Sequence, residues 1–393
     1  MGRYFADLHI HIGRSSNNHP IKITASNLLN FENIVIESKL RKGLDIIGII
    51  DCASPPIIDD IKCLIASGQL VSTIGGGYLY RGDMLVILGV EVEINEDGYG
   101  AGHFLCYFKN VEIIEQFSDW LRQYITNIQL STQVARVSVG KLQQKVKELQ
   151  GLFVPAHIFT PHKGIYGNMT YCMAKILDVS MVDAVELGLS ADSLMAAHLL
   201  ELRDITFLSN SDAHSLPKIA REYNEFILED LSFDGIASAL NRTNGNYVNA
   251  NYGMEPRLGK YHRSHCIECD ITANETNTPP ILMCPNCNST HLTIGVYDRI
   301  VDISRVIKPL YTHIQPYKYQ IPIEFIPKIG PKTMQKLYNS FHTEMNIIHN
   351  ITYEELAAVV GESIANLICQ ARKGNINVVS GGGGTYGKIE FYK

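Results

Sequence analysis

The chain has 393 residues, of which 46% are hydrophobic and 19% are charged. This length exceeds one average domain and the composition is that of an ordinary globular protein, so we expect two or three compact units and no long disordered stretch. No apolar run reaches the roughly 18 residues that span a bilayer, and the first residues lack the apolar stretch of a signal peptide. We therefore expect a cytoplasmic protein without membrane contact.

The formal net charge of −6 argues against a protein that coats nucleic acid non-specifically. The charge is uneven, because residues 256–393 hold 14 Lys and Arg against 11 Asp and Glu, a balance of +3, which leaves −9 for residues 1–255. An acidic first part suits a carboxylate-rich metal site. The slightly basic second part permits contact with phosphates but is weak support for it.

From residue 1 to about residue 251, short apolar strands alternate with amphipathic helices, which is typical of a mostly parallel α/β sheet or barrel. Strands are predicted over residues 46–50, 85–90, 104–108, 152–155 and 184–187, and helices over residues 35–42 and 139–149. A polar residue is predicted at the end of each strand, namely Asp51, Glu91, His103, His157 and Asp212. Because ligands converge at the carboxyl ends of barrel strands, these residues predict a functional site.

The pattern changes near residues 244–246, where a polar linker begins. We predict a barrel over residues 1–255, a cysteine module over residues 256–300 and a helical tail over residues 301–393. No internal repeat is visible. The segment 380–387 is too rich in glycine for the interior of a helix or strand.

The first strand opens the predicted metal site. Alternate residues of a strand share a face, so Asp7, His9 and His11 should point one way while Leu8 and Ile10 enter the core. A single His-x-His pair is equally consistent with two half-buried histidines, but the later residues change that balance. The predicted active-site ligands are His9, His11, Asp51, Glu91, His103, His157, Asp212 and His214. So many ligands exceed the needs of one tetrahedral ion and indicate two or three divalent ions, Zn²⁺, Mn²⁺ or Mg²⁺.

Two ions about 3.5–4 Å apart stabilise both the attacking and the leaving oxygen of a phosphodiester, and they activate a bound water. Glu91 is predicted to bridge two ions, because a carboxylate has two oxygens. Asp7 is expected to orient a ligating histidine rather than to bind metal. His162 and Glu186 are weaker ligand candidates. We assign catalysis to His9, His11, Glu91, His157, Asp212 and His214.

The motifs resemble those of the polymerase-and-histidinol-phosphatase (PHP) superfamily, and longer strings resemble its endonuclease Q family. The resemblance is carried by residues 7–11, Glu91, His103, residues 155–161, residues 186–192, residues 210–215 and Arg221-Glu222. It implies a distorted (β/α)₇ barrel with a multinuclear site that nicks DNA 5′ to uracil, hypoxanthine, xanthine or an abasic site. One departure concerns a histidine that the family often has three residues after the matched Asp51. This chain has Ser54 there, which puts one ion in doubt.

The four cysteines Cys266, Cys269, Cys284 and Cys287 form two Cys-x-x-Cys pairs separated by 14 residues. Four thiolates complete a tetrahedral shell and leave no open position, so we predict a structural Zn²⁺. The alternative, a redox dithiol, needs only one pair.

The tail contains a segment, residues 326–337, that resembles a helix-hairpin-helix. Its turn at Gly330 would aim backbone N–H groups at a DNA phosphate, and Lys332 and Lys336 would add charge. An ordinary corner between two helices is the alternative. The expected partner is double- or single-stranded DNA that contains a lesion; protein partners are not predicted.

Selection of a deaminated base requires extrusion of the nucleotide from the duplex. Tyr78 and Tyr166, in two glycine-containing loops, are candidates to stack on the extruded base, although plain loop packing explains them equally well. Two other functions fit parts of the pattern. A small-molecule phosphoesterase resembling histidinol-phosphate phosphatase would use the metal site but neither the zinc module nor the hairpin. A non-catalytic DNA-binding module would not need the near-complete ligand set.

Overall fold

The computed structural model describes residues 1–304, 314–374 and 377–390. The strands are β1 (Gly2–Ile10), β2 (Ile46–Ile49), β3 (Leu70–Ser72), β4 (Tyr78–Tyr80), β5 (Met84–Asn95), β6 (Ala101–Phe108), β7 (Val134–Ala135), β8 (Leu152–Pro155), β9 (Ala184–Glu186), β10 (Thr206–Leu208), β11 (Tyr223–Leu228), β12 (Tyr247–Gly253), β13 (His265–Cys266), β14 (Ile271–Thr272), β15 (Leu292–Thr293), β16 (Tyr317–Tyr319), β17 (Asn377–Val379) and β18 (Lys388–Glu390). The helices are α1 (Phe31–Glu37), α2 (Pro55–Ala66), α3 (Val111–Leu121), α4 (Val139–Glu148), α5 (Ser193–Ala196), α6 (Phe233–Leu240), α7 (Val296–Ile303), α8 (Pro331–Phe341), α9 (Glu344–His349), α10 (Tyr353–Val360) and α11 (Glu362–Arg372).

Seven strands close into a barrel in the order β1, β2, β5, β6, β8, β9, β10. Two junctions are made by a few backbone hydrogen bonds rather than by long ladders. Beside β8 and β9, the Ile158 amide donates to the Glu186 carbonyl over 2.9 Å. Beyond β10, the Ala213 amide donates to His9 and the His11 amide donates to Ala213, both over 3.1 Å. These contacts carry the ring back to β1, so the predicted α/β barrel is confirmed.

The strand directions are more mixed than the sequence predicts. β5 pairs with β2 in parallel, but β6 is antiparallel to both β5 and β8. His103 therefore lies near the start of β6, opposite Glu93, and Glu91 lies within β5; their predicted placement at strand ends is wrong. Because β6 runs the other way, its beginning lies at the same rim as the ends of its neighbours. The predicted residues still meet there.

Apolar side chains fill the barrel from every strand of the ring. The interior cluster includes Leu8, Ile87, Leu105, Val154 and Leu208, each at most 2% exposed. A second and larger cluster packs the outer faces of the strands against α1 to α4. These two layers make the rim a fixed platform for the polar residues that lie above the interior cluster.

Strand β1 contains a bulge that the alternating pattern did not predict. Asp7 pairs with Ile47 and Ile10 pairs with Ile49, so three steps along β1 match two along β2. Leu8 and Ile10 are both buried, as predicted, but in different clusters. A bulge re-aims the side chains that follow it, which bears on His9 and His11 below.

The tail helices α8 to α11 form their own apolar cluster, as the predicted helical tail requires. Polar contacts fasten the tail to the barrel; among them, Lys42 Nζ lies 2.8 Å from Glu344 Oε1, and Tyr223 Oη lies 2.8 Å from His349 Nε2. Strand β16 adds to the barrel sheet beside β12. Parts of the predicted tail, residues 305–313, 375–376 and 391–393, lie outside the described residues. Among the described helices, none is long and apolar enough to cross a membrane.

Candidate active site

Two groups of potential metal ligands lie side by side at the rim. His9, His11 and Asp212 form one group, and the ligand atoms of its members lie within 4.8 Å of one another. Glu91, His103 and His157 form the second group under the same limit. Each group joins imidazole nitrogen to carboxylate oxygen, the donor set that suits Zn²⁺ or Mn²⁺. Residues that the sequence separates by about 200 positions are thus brought together as predicted.

Glu91 lies between the two groups. Its Oε1 is 2.8 Å from His103 Nδ1, 3.7 Å from His157 Nε2 and 3.6 Å from His9 Nε2. Its Oε2 is 3.7 Å from His11 Nε2. One buried carboxylate therefore faces both groups, which is the arrangement expected of a ligand that bridges two ions.

Several buried ligand atoms in these groups have no hydrogen-bond partner. They are His9 Nε2, His11 Nε2, His103 Nδ1, His157 Nδ1 and Asp212 Oδ1. His103 Nδ1 lies only 2.8 Å from a Glu91 oxygen, yet the angles are not those of a hydrogen bond. Buried polar atoms are rarely left unpaired, and such orphans indicate a bound group. The residues present fit divalent ions.

A row of buried side chains fixes His9 from behind. Its Nδ1 lies 2.8 Å from Glu186 Oε2, and Asn210 donates to the same oxygen over 2.8 Å. Asn224 donates to Asn210 over 2.9 Å, and Asn251 donates to Asn224 over 2.9 Å. A hydrogen bond at the rear nitrogen sets the tautomer and leaves Nε2 for the ion. Glu186, which the sequence offered as a possible metal ligand, therefore positions His9 instead. The three asparagines were not predicted, because they belong to no motif that can be recognised in the local sequence.

Asp51 holds His11 in the corresponding way. One oxygen accepts from the Ile12 amide over 2.7 Å and lies 3.0 Å from His11 Nδ1, and the other accepts from the Ser131 hydroxyl. Both oxygens thus accept hydrogen bonds and Asp51 belongs to neither ligand group, so its predicted role as a metal ligand stays a prediction. Asp51 orients the imidazole of His11, which is the role that the sequence analysis predicted for Asp7.

Asp7 itself does not contact an imidazole. Its oxygens accept from the backbone amides of Ser211 over 3.1 Å and Ala220 over 2.9 Å. The predicted role of Asp7 in orienting a histidine is therefore wrong. In His9, Asp7 contacts only the backbone amide, over 3.4 Å, and it holds the loop that carries Asp212.

His214 lies at the edge of the first group. Its ring centre is 4.4 Å from that of His11, and its Nδ1 is 3.4 Å from Asp212 Oδ1 and 3.1 Å from the Asp212 carbonyl oxygen. Burial lowers the pKa of the His214 imidazole, which keeps it neutral near pH 7. A neutral imidazole is the form that binds a metal, and the predicted role of His214 stays a prediction.

The electrostatics of the site favour the binding of a cation. Burial alone would lower the pKa of His9, but the carboxylates of Glu186, Asp212 and Glu91 outweigh it and raise the pKa to about 10. His103 is affected in the same way, with a pKa of about 9, chiefly through Glu91. The pKa values of Glu91 and Asp212 lie well below their usual range, despite burial, because of the surrounding imidazoles and, for Glu91, also because of the Lys22 ammonium. These carboxylates stay ionised and prefer a cation between them.

Members of both groups, His11, Asp212, Glu91, His103 and His157, line the floor of an open cavity of about 750 Å³. Five cationic side chains line it, from Lys22, Lys163, Lys218, Arg221 and Lys260. Two aromatic side chains also line it, Tyr261 from the start of the cysteine module and Tyr386 from the glycine-rich segment. A negative floor that attracts metal ions, below a positive wall that attracts phosphate, suits a phosphate ester.

The chain is similar to known proteins over nearly its full length. No family model matches the chain. The uncharacterized protein YqxK of Bacillus subtilis is 43% identical over 397 residues, which cover 99% of this chain and 100% of that protein. The uncharacterized protein MJ0043 of Methanocaldococcus jannaschii is 34% identical over 227 residues, which cover 53% of this chain and 28% of that protein.

Among solved structures, the lesion-specific endonuclease PfuEndoQ from Pyrococcus furiosus superposes with a TM-score of 0.84 at 28% identity, covering 100% of this chain and 96% of that one. Endonuclease Q in complex with a 27-mer duplex that carries an abasic lesion at the active site gives 0.83 at 28% identity, covering 100% and 97%. The chain belongs to the endonuclease Q family.

The cysteine module of this endonuclease Q relative has the arrangement of a metal site. Cys266 Sγ lies 3.6 Å from Cys287 Sγ, and Cys269 Sγ lies 3.6 Å from Cys284 Sγ. All four sulfurs lie within 4.8 Å of one another, next to the small sheet β14-β13-β15. Four converging thiolates fit one tetrahedral Zn²⁺ and leave no position for a substrate.

The tail contains two turns that lead into helices, and one of them lies at the predicted place, after the short 3-10 helix Ile323–Phe325. The first turn reaches Gly330 and enters α8, where Lys332 and Lys336 are exposed. The second turn joins α10 to α11 at Gly361, which has φ 82°. A side chain at either glycine would meet nothing within 4 Å, so both turns face outwards. The second hairpin was missed because its turn contains neither proline nor lysine.

The structure rejects both tyrosines predicted to meet the base. Tyr78 is 3% exposed and its hydroxyl accepts from the Val111 amide over 2.9 Å. Tyr166 is fully buried and its hydroxyl donates to Glu201 over 2.6 Å. Neither lines the cavity, so both pack as core residues. Tyr261 and Tyr386 line it instead; no feature of their local sequence marks them.

Proposed function

We propose that this protein is a metal-dependent endonuclease that hydrolyses a phosphodiester bond next to a lesion in DNA. The observation that carries the proposal is Glu91, one buried carboxylate facing two sets of unpaired imidazole nitrogens at the floor of a cation-lined cavity. Family membership supports it, because the related enzyme from Pyrococcus furiosus is a lesion-specific endonuclease.

Each group has a distinct task. His9, His11 and Asp212 would hold one ion, His103 and His157 would hold a second, and Glu91 would bridge them. Bound ions of this kind polarise the phosphate and lower the pKa of a bound water. Glu186 and Asp51 keep the imidazoles of His9 and His11 turned towards the ions.

The walls of the cavity would hold the DNA strand. Arg221 donates through Nε to the Ser211 carbonyl over 2.7 Å, which directs the rest of its guanidinium along the cavity wall. Lys218 and Lys260 line the same wall. Cations at these places neutralise phosphate oxygens and fix the strand without reading its sequence.

For the finer substrate, we propose cleavage 5′ to uracil, hypoxanthine, xanthine or an abasic site, which the family resemblance implies. Deamination replaces an amine donor by a carbonyl acceptor, so a pocket of donors can accept the lesion and leave a normal base unpaired. Such a test needs the nucleotide outside the duplex. Tyr261 and Tyr386 are the aromatic side chains available in the cavity to stack on it.

The tail would contact DNA away from the cut. We propose that the turn at Gly330, with Lys332 and Lys336, binds the backbone of the duplex through N–H groups and charge. The endonuclease Q complex contains a 27-mer duplex, so double-stranded DNA is the first substrate to test. Single-stranded DNA is the second.

The decisive experiment uses a labelled duplex with one deoxyuridine and its undamaged twin. Incubation with Mn²⁺, Mg²⁺ or EDTA, followed by sizing of the products, should give metal-dependent nicking at the bond 5′ to the lesion only. Matched duplexes with hypoxanthine, xanthine and an abasic site would rank the lesions. Hydrolysis of a small phosphate monoester without any nicking would favour the phosphoesterase alternative and contradict the proposal.

A further inference from the structure

Lys22 places an ammonium group in the metal site itself. It lies in the segment between β1 and α1, and its backbone amide donates to the Ile12 carbonyl over 3.0 Å, just beyond β1. Its side chain is 13% exposed and lines the cavity. Nζ lies 3.0 Å from Glu91 Oε2 and donates a hydrogen bond to it.

The two oxygens of Glu91 therefore face different partners. Oε1 faces the imidazoles of His103, His157 and His9. Oε2 faces Lys22 at 3.0 Å and His11 at 3.7 Å. A third ion, bound beside His11 with Oε2 of Glu91 as a ligand, would have to displace the Lys22 ammonium from that oxygen.

The side chains around that position are already engaged. Both oxygens of Asp51 are occupied by His11, the Ile12 amide and Ser131. The Ser54 hydroxyl donates to the Gln129 carbonyl over 2.7 Å. Serine is also a poorer ligand for these ions than histidine or a carboxylate.

The groups of candidate ligands indicate how many ions the barrel can hold. Within residues 1–304, 314–374 and 377–390, three or more candidate ligand side chains converge only at the two barrel groups and at the four cysteines. The described side chains thus offer places for two ions in the barrel and one in the cysteine module. Beside them lies one fixed ammonium group.

We infer that this protein works with two active-site ions and that the Lys22 ammonium supplies the third positive charge, beside Glu91 and against the scissile phosphate. The ammonium provides charge at a fixed point, as an ion would, and it needs no ligand shell of its own. The inferred number of ions rests only on the positions of the described side chains. The inferred contact between Lys22 and the phosphate also rests on the proposed function.

The first test counts ions without using activity. The full chain, stripped by a mild chelator that leaves the cysteine-bound zinc, is titrated with Mn²⁺ by calorimetry, and the bound metal is then measured by mass spectrometry. We expect two manganese ions and one zinc ion per chain. Three tightly bound manganese ions would overturn the inference.

The second test removes the ammonium. Lys22→Met keeps the length of the side chain without its charge, and Lys22→Arg restores a charge. We expect Lys22→Met to bind two manganese ions and to lose at least about 100-fold in the rate of bond cleavage at saturating DNA, the range found when one preorganised donor is removed. Lys22→Arg should recover part of that loss.

The matched control is Lys109→Met. Lys109 Nζ forms an ion pair with Asp234 over 2.7 Å, just after the end of β6 that lies away from the site. Full cleavage by Lys22→Met would overturn the role of the ammonium, and loss of a manganese ion from that variant would assign Lys22 a structural role instead. If the wild-type chain binds two ions but nicks no DNA, the proposed substrate fails while the ion count stands.

Discussion

The two metal centres of this protein are built in opposite ways. The cysteine module takes its four ligands from 22 residues of sequence, 266–287, in two repeated pairs. The barrel site collects His9, Glu91, His103, His157 and Asp212 from different strands and loops. The first is a closed shell of four thiolates, and the second lies at the floor of a large open cavity. Four ligands that are close in sequence can stabilise a small module around one ion, whereas ligands from different strands can surround a cavity that admits a substrate.

The largest effect is expected at the shared carboxylate. Glu91→Gln keeps the shape but removes the charge that two ions share, so we expect cleavage to fall by roughly 10³-fold or more. Gel-based nicking rates and the manganese content would be measured together. Glu115→Gln, on the surface of α3 and paired with Lys62, is the control and should cleave normally. Wild-type rates in Glu91→Gln would contradict a bridging role.

The cysteine module should respond in the opposite way. Cys284→Ser removes one thiolate from a closed shell, and binding of structural zinc is worth on the order of 10 kcal/mol in isolated fingers. We expect loss of zinc and rapid proteolysis within residues 261–296, with two manganese ions still bound in the barrel. Retained zinc would contradict the closed four-thiolate shell, and joint loss of all metals would show that the two sites are not independent.

The asparagine row offers a milder way to disturb the barrel site. Asn224→Leu removes the amide that links Asn251 to Asn210 by hydrogen bonds. Asn210 donates to Glu186, and Glu186 contacts Nδ1 of His9. Changes in such outer partners typically cost 10–100-fold in metal affinity, so we expect about tenfold here. Calorimetric titration of manganese into the stripped chain measures it. Asn241→Leu, on an exposed residue after α6, is the control.

The pH dependence of the metal-free chain tests the charges of the barrel site. The pKa of His9 is raised from 6.5 to about 10 and that of His103 to about 9. A raised folded-state pKa adds stability that is complete below 6.5 and is lost as the pH rises through 9 to 10. The melting temperature of the stripped chain should therefore fall between pH 7 and pH 10. A rise over that range would contradict the charge balance described for this site.

The smallest effect is expected in the tail. Lys332→Ala and Lys336→Ala should weaken binding to damaged and undamaged duplex alike, and each should reduce the slope of log affinity against log salt by about one. Fluorescence anisotropy at several salt concentrations measures this. Lys373→Ala, after the end of α11, is the comparison. A change in lesion preference would show that the tail does more than hold the backbone.

Much of the site was predictable because its chemistry restricts the residue types. The strands over residues 152–155 and 46–50, the helix over 139–149 and the zinc cysteines follow from local patterns that need no partner to be recognised. The two ligand groups also contain only residues that the sequence nominated. Which ligands share a group depends on strand order, and that order was not predicted.

By itself, the sequence determined an α/β barrel with a metal-dependent site, a four-cysteine module and a helical tail, because hydrophobic period, ligand type and ligand spacing are local properties. Only the tertiary structure decided that Asp51 contacts His11, that Tyr78 and Tyr166 are core residues, and that Lys22 meets Glu91. These roles depend on what lies across the barrel from each side chain. A bulge in one strand and the reversed direction of another set those partners, and neither leaves a mark in the local sequence.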